Sequence, residues 1–572
     1  MTLNKQELVK QQIGDPFKVL EAVKRAVNEG FETLTEDDLF LCKWYGLYTH
    51  RHEQGYFMIR TKQPNGYVTP QQLRTIAEIA EKLNKGYADI TTRQDFQLHW
   101  CHTSELLNIL DKLKAVGIST LGACGDIMRN VVGCPVSGVD RDEVLDAGPV
   151  VQRVSDFFLG NPDFANLPRK YKISISGCRT RCPQPEIQCV SFVGCERRTD
   201  GQARVGFDLR VGGGLSTQAF FGQRLNAFVG PEQVVEVLAK ITAIWRDTPE
   251  YREKRHHARI KYLIHDWGVA KFRQVLEERL GWKLEDAVPD FEDPPEQYRD
   301  HIGVHAQKQS GYYYIGAPVL VGRITSQQMA KVAELSERYA NPNAGLPAAP
   351  SQVNQTGPAQ AGTTGTPLRL TVRQNILLLN IPEAQVDKVL AGLAEVGLSI
   401  NAHPVRRSVV TCTGTEFCKL AITETKARSR EIVEYLEQRV LLDEPLRIHI
   451  TGCPNACAQH QIGHIGMMGS KTKVDGQIVD AYDIFVGGQL GRGASFNHPV
   501  LRKVPATECT MRLEQLLLGF KGARQKGESF NDWCKRVGDQ ELVKLLSDGK
   551  KGSQDAEDVP IPETPESDGP VY

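Results

Sequence analysis

The sequence predicts an α+β protein built by internal duplication, with a small α+β unit and a larger α/β unit each present twice. Three observations predict it. A strand-like run around T-x-R-Q leads into an amphipathic helix and then V-G-[IL], first at 88–118 ("ADITTRQDFQLHWCHTSELLNILDKLKAVGI") and again at 368–398 ("LRLTVRQNILLLNIPEAQVDKVLAGLAEVGL"). Three further motifs recur in the same order: "RNVVGC" (129–134) with "RSVVTC" (407–412), "SGCRTRC" (176–182) with "TGCPNAC" (451–457), and "DLRVGGGL" (208–215) with "DIFVGGQL" (483–490). The spacing is also kept: 44 residues separate Cys134 from Cys178, and 41 separate Cys412 from Cys453. Chance does not give four ordered matches at near-equal separation.

The elements follow in order. Residues 1–45 read as an N-terminal helical segment. Residues 46–118 form the first small unit, with the helical run "TPQQLRTIAEIAEKL" before its T-x-R-Q strand. Residues 119–290 form the first large unit, which carries the helical pattern "VVEVLAKITAIWRD". Residues 291–403 repeat the small unit, with "TSQQMAKVAELSERY" as the matching helix. Within them, 341–367 is rich in Pro, Gly, Ala and Thr, lacks periodicity and reads as a flexible insertion. Residues 404–548 repeat the large unit, with "SREIVEYLEQRV" as a helix. The acidic, Pro-rich stretch 549–572 reads as a disordered tail.

Composition sets the class. The 572-residue chain is 41% hydrophobic and 24% charged, ordinary for a globular protein, and long enough for several cores. Its formal net charge is zero, so bulk attraction to nucleic acid or to an anionic membrane is not expected. The N-terminus has no continuous apolar region, and no run approaches the ~20 apolar residues of a membrane span. These features lead to the expectation of a cytoplasmic protein. In a reducing compartment its fourteen cysteines are read as metal ligands or buried thiols.

Cys412 and Cys418 form C-x5-C, and Cys453 and Cys457 form C-x3-C. Four thiolates from two loops complete the ligand set of a cubane iron–sulfur cluster, and a structural zinc ion could use the same set. Pro454 stiffens the second loop. The first half keeps counterparts of three, Cys134, Cys178 and Cys182, while Asp140 stands where Cys418 would be. It reads as a degenerate copy whose cysteines are expected to be simple thiols, with a second cluster as the alternative because Cys189 and Cys195 lie close by in sequence.

"TCTGTEFCKLAITETK" followed by "TGCPNACAQHQIGHIG" resembles the sirohaem-binding segment of the assimilatory sulfite and nitrite reductases. The duplicated layout is similar to that family's pseudo-twofold build of two ferredoxin-like half-domains and two sirohaem half-domains. The resemblance runs from about Lys43 to about Leu545. It implies one 4Fe–4S cluster on Cys412, Cys418, Cys453 and Cys457, and a sirohaem whose iron shares Cys457.

Sirohaem carries a ring of carboxylates, and burying them requires fixed cations. "TTRQ" supplies Arg93, "MRNVVG" supplies Arg129, and "LPRKYK" supplies Arg169, Lys170 and Lys172. By resemblance, Arg93, Arg129, Lys170 and Lys172 line the distal face, where the substrate anion binds. The resemblance implies six-electron reduction of sulfite to sulfide, or of nitrite to ammonia. Lys172 favours sulfite, because the nitrite branch tends to have Asn there and sulfite carries more negative charge.

No flavin or nicotinamide unit is legible. "FVGGQLGRG" at 485–493 fails both the dinucleotide and the P-loop spacing, and reads as a tight turn after a strand. Electrons must then come from a partner, and by resemblance that partner is ferredoxin. The basic stretch 251–273 ("YREKRHHARIKYLIHDWGVAKFR") is either a docking face for it or a solvated helix face, with the second expected.

Overall fold

In the computed structural model of the protein, the described residues are 3–199, 202–288, 292–296, 299–341, 344, 367–443 and 445–547. Nearly all of the expected insertion at 341–367, and the whole tail at 549–572, lie outside them.

Helices Lys5–Ile13, Val19–Glu29 and Glu36–Leu41 open the chain. The small unit then appears twice as a five-stranded antiparallel sheet with helices on one face. The first sheet has the order Leu47–Thr49, Tyr56–Arg60, Phe96–His102, Tyr87–Ile90 and Arg323–Thr325. The second has the order Gly303–Ala306, Tyr312–Ala317, Ile376–Pro382, Leu368–Leu370 and Tyr67–Val68. Each sheet is therefore closed by a short strand from the other copy: Arg323 pairs with Asp89, and Val68 with Leu368. The T-Q-Q helices that follow these exchanged strands, Pro70–Leu83 and Ser326–Tyr339, start with matching capping boxes, Thr69 with Gln72 and Thr325 with Gln328. Both helices and both sheets share a single core that includes Ile76, Ile79, Met329 and Val332.

The glutamine of the T-x-R-Q motif acts at the centre of this exchange. Gln94 Nε2 donates to Leu370 O and Gln374 Nε2 donates to Ile90 O, both at 2.8 Å. Their Oε1 atoms accept from Gly133 N and Thr411 N, both at 2.9 Å. Each glutamine thus ties its own loop to the opposite small unit and to its own large unit. Both take a positive φ, 58° and 63°, held by these four bonds.

The large unit also appears twice, around a mixed sheet. One runs Val132–Gly133, Ile173–Ser176, Val190–Thr199, Gln202–Val211, Gln223–Val229 and Glu285–Asp286. The other runs Val409–Thr411, Ile448–Thr451, Ile465–Val474, Gln477–Val486 and His498–Pro505. In each, the first three strands are parallel and the rest antiparallel. Each has its own core, one centred on Trp245 and Phe192, the other on Trp533 and Ile450. The glycine motifs are post-strand turns, with Gly212 at φ 85° and Gly487 at φ 90° directly after their strands.

One sequence expectation holds only in part. The basic stretch 251–273 exposes Lys254 and Lys271, as a solvated face would, but three of its cations point inward. Arg255, Arg259 and Lys261 are all buried. Arg255 forms two bonds to Asp126, Arg259 donates to Leu215 O and Cys189 Sγ, and Lys261 donates to Leu215 O. Helical charge patterning does not reveal a buried acceptor far away in sequence.

Candidate active site

The cysteine loops leave the carboxyl ends of adjacent parallel strands. Cys412 follows Val409–Thr411 and Cys453 follows Ile448–Thr451, and Cys412 N donates to Ile450 O at 3.2 Å. This is the position where open α/β sheets leave a crevice. The second loop turns through Ala456 (φ 55°) and Gln459 (φ 62°). Its first-half counterpart turns identically at Arg181 (φ 57°) and Gln184 (φ 56°), so the repeat extends to single dihedral angles.

The first small unit braces the other loop. Arg51 Nη1 donates to Cys418 O at 3.1 Å and Ala421 O at 2.7 Å, and His99 stacks on Phe417 at 3.8 Å. The Gly452 amide donates to Cys412 Sγ at 3.2 Å, a bond that favours thiolate. Burial pushes the Cys418 thiol up to about 12 and raises Cys412 and Cys453 too, so a metal bound here displaces protons. Cys453 is buried, Cys412 and Cys418 are half-buried, and Cys457 is exposed.

The cations come from three loops of the first half. Arg93 lies in the turn after Tyr87–Ile90 and donates to Gln188 Oε1 at 3.1 Å and to Asn130 O. Arg129 donates to Gly125 O through Nε (3.2 Å) and Nη2 (3.0 Å). Its own amide donates to Tyr171 O at 2.8 Å, which brings "MRNVVG" beside "LPRKYK". Strand alternation does the rest: Tyr171 points into the core against Trp245, so Lys170 and Lys172 point the other way. The Lys172 ammonium is held well below its usual range, by burial first and then by Arg93, Arg259 and Lys170.

All eight residues singled out from the sequence, Arg93, Arg129, Lys170, Lys172, Cys412, Cys418, Cys453 and Cys457, line one cleft. Thr92 Oγ1 donates to Cys457 O at 3.1 Å, so the cation half and the thiolate half touch there. Ten lysines and arginines line it against three aspartates, so it suits a multiply anionic occupant.

Two buried groups carry the same message. Lys43 Nζ, on a residue only 6% exposed, has no hydrogen-bond acceptor, and burial pushes its ammonium down to about 7. Arg93 Nε is buried without a partner as well. Donors left open in a cation-rich cleft fit a ring of carboxylates. Lys43 and Arg60 also line this cleft and were not found from the sequence. Each is a lone cation outside any repeated motif.

Comparison with known proteins agrees with this geometry. The family described as nitrite and sulphite reductase 4Fe-4S domain matches residues 124–284 and 403–552. The nitrite/sulfite reductase ferredoxin-like half domain matches 50–116, 305–346 and 361–396. An assimilatory ferredoxin-dependent nitrite reductase of Haloferax mediterranei is 33% identical over 94% of this chain and 92% of its own length. A ferredoxin sulfite reductase of Mycobacterium tuberculosis is 35% identical over 94% of this chain and 96% of its own. The solved structure of the M. tuberculosis NirA protein superposes with a TM-score of 0.85 at 35% identity, covering 95% of this chain and 98% of that one. With both family models matching along most of its length and a relative 35% identical over 94% of it, the chain belongs to the nitrite and sulphite reductase family.

Proposed function

We propose that this protein is a ferredoxin-dependent reductase that converts sulfite to sulfide by six-electron reduction, using one 4Fe–4S cluster and sirohaem. The observation that carries it is the single cleft shared by the cysteine quartet and the four predicted cations. Cys412, Cys418, Cys453 and Cys457 would hold the cluster, and Cys457, the exposed thiol of the four, would also reach the haem iron. Arg93, Arg129, Lys43 and their neighbours would hold the haem carboxylates and the substrate. In this reading residues 119–290 and 404–548 are the cofactor-holding units, and 46–118 and 291–403 the ferredoxin-like ones.

When bound, the coupled cofactors deliver electrons one at a time to the sulfur or nitrogen atom of the substrate. The chain's own residues do the remaining work. Arg93, Arg129, Lys170 and Lys172 bind the oxyanion and stabilise the negative charge that grows on each departing oxygen. Lys172, with its depressed pKa, gives up a proton readily to that oxygen and is recharged from solvent through the open cleft.

The second reading is nitrite reduction to ammonia, which the Haloferax relative's name supports. Lys172 favours sulfite, because an added cation gains more from the more highly charged anion. No helix among the described residues is long and apolar enough to cross a membrane. All fourteen cysteines are free, which suits a reducing cytoplasm. Steady-state rates with reduced ferredoxin and each anion test the substrate choice. A higher kcat/KM for sulfite is expected, and a strong preference for nitrite would replace it with the second reading.

A further inference from the structure

The pseudo-twofold partner of the cluster site is not a scatter of simple thiols. Cys134, Cys178 and Cys182 bring their sulfurs within 4.8 Å of one another, the one such set of His, Cys, Asp and Glu donors among the described residues. The second-half quartet does not form such a set. A tetrahedral ion with ~2.3 Å metal–sulfur bonds spaces its thiolates by roughly 3.8 Å, which suits the tighter set.

A fourth ligand lies beside them. His301 Nε2 is 3.1 Å from Cys182 Sγ, and the ring is buried. Its Nδ1 faces the Tyr314 hydroxyl at 3.4 Å, an outer contact that would keep the proton on Nδ1 and the lone pair on Nε2. Asp140, the sequence counterpart of Cys418, does reach the site, with its carboxylate 3.3 Å from Cys178 Sγ. It is already taken, however, by two bonds from Arg299, at 2.8 and 3.1 Å. The Thr180 amide donates to Cys178 Sγ at 3.3 Å, and Arg299 Nη1 lies 3.9 Å from the same sulfur, so charge on the thiolates is compensated. A separate cavity lined by Cys182, Arg299 and His301 gives an ion a way in.

We propose that Cys134, Cys178, Cys182 and His301 bind one zinc ion, as a structural Cys3His site distinct from the catalytic cleft. The three cysteines belong to the first large unit, and His301 directly precedes the first strand of the second small unit. The ion therefore clasps two modules whose shared core there is small, consisting of Val136, Val139, Tyr314, Leu377 and Leu379 around Cys134 and Cys178. Three thiolates from a former cluster site, with one ligand replaced from another unit, would exchange a redox centre for a fastener.

The test uses holoenzyme washed with EDTA. Elemental analysis is expected to find about one zinc per chain beside its iron, and zinc-edge absorption to fit three sulfur neighbours and one nitrogen. The double variant Cys178→Ser/Cys182→Ser should lose the zinc while keeping the wild-type iron content and haem absorbance. His301→Gln, which removes one of the four ligands, should lose zinc to chelator faster than the wild type. Wild-type protein free of zinc would overturn the proposal. So would loss of iron rather than zinc from the double variant, which would mean a second iron–sulfur cluster. If the double variant does not fold, the wild-type zinc content and absorption spectrum decide alone.

Discussion

Lys172 shows what a single residue adds to the cleft. It is two positions from Lys170 in an extended segment whose middle residue, Tyr171, is fixed in the core. Both lysines therefore face the same cleft. Replacing it by Asn removes one charge and keeps a hydrogen-bond donor. A charged hydrogen bond contributes ~1.5–3 kcal/mol, so Lys172→Asn should lower kcat/KM for sulfite by about 10- to 100-fold. Nitrite should lose less, because it carries less charge. Parallel assays on both anions measure the ratio, and equal losses would remove the charge argument. This part of the site was legible in the sequence because its residues sit in repeated or family-like motifs. Lys43 was not, although its unpartnered Nζ is among the clearest marks of an anion site. Nothing in "LCKWYG" signals that this lysine faces a cleft built by residues far along the chain. His301 was missed for a similar reason, since 119 residues separate it from Cys182.

Among the elements, the T-x-R-Q loops matter most. Sequence comparison found them because the motif is copied, but it could not say what the glutamine does. Nor could it find the exchanged strands Tyr67–Val68 and Arg323–Thr325, which are too short to show any periodicity. The exchange explains the copying: each loop must reach the other half, so both copies keep the same pins. Gln374 is buried and bonds to Ile90 O and Thr411 N. Gln374→Ala would leave both backbone groups without their partner, at about 1–3 kcal/mol each. Denaturant unfolding should show that loss. Because Thr411 adjoins Cys412, cluster iron content is expected to fall as well. Gln374→Glu, which keeps the acceptor for Thr411 N, should retain more iron than the alanine variant. Equal iron loss in the two would mean that the pin does not position the cysteine loop.

At the scale of the whole molecule, the division of labour is asymmetric although the folds are matched. The second large unit supplies the thiolates of the cleft and the first half supplies most of its cations, so neither half makes the site alone. The N-terminal helix is bound into this assembly by the Arg252–Glu7 pair and by a second buried carboxylate, Asp126. Asp126 pairs with Arg255 at 2.8 and 3.1 Å, with Lys10 of helix Lys5–Ile13 at 3.4 Å, and with Arg169 at 3.6 Å. Burial alone would raise its pKa, but Arg255, Lys10 and Arg169 outweigh burial and hold it well below the usual carboxylate range. A depressed folded pKa gives stability that is complete above the unfolded value of about 3.9 and is lost as pH falls toward the folded value. Acid unfolding followed by circular dichroism should therefore begin below about pH 4, with the N-terminal helix released along with the cleft wall. Asp126→Asn leaves Arg255 buried without its anion, so it should cost ~3–5 kcal/mol at neutral pH. The same change removes the proton linkage, so the variant's stability should depend less steeply on pH below 4 than the wild type's. A wild-type acid limb reproduced by the variant would show that this carboxylate does not hold the junction.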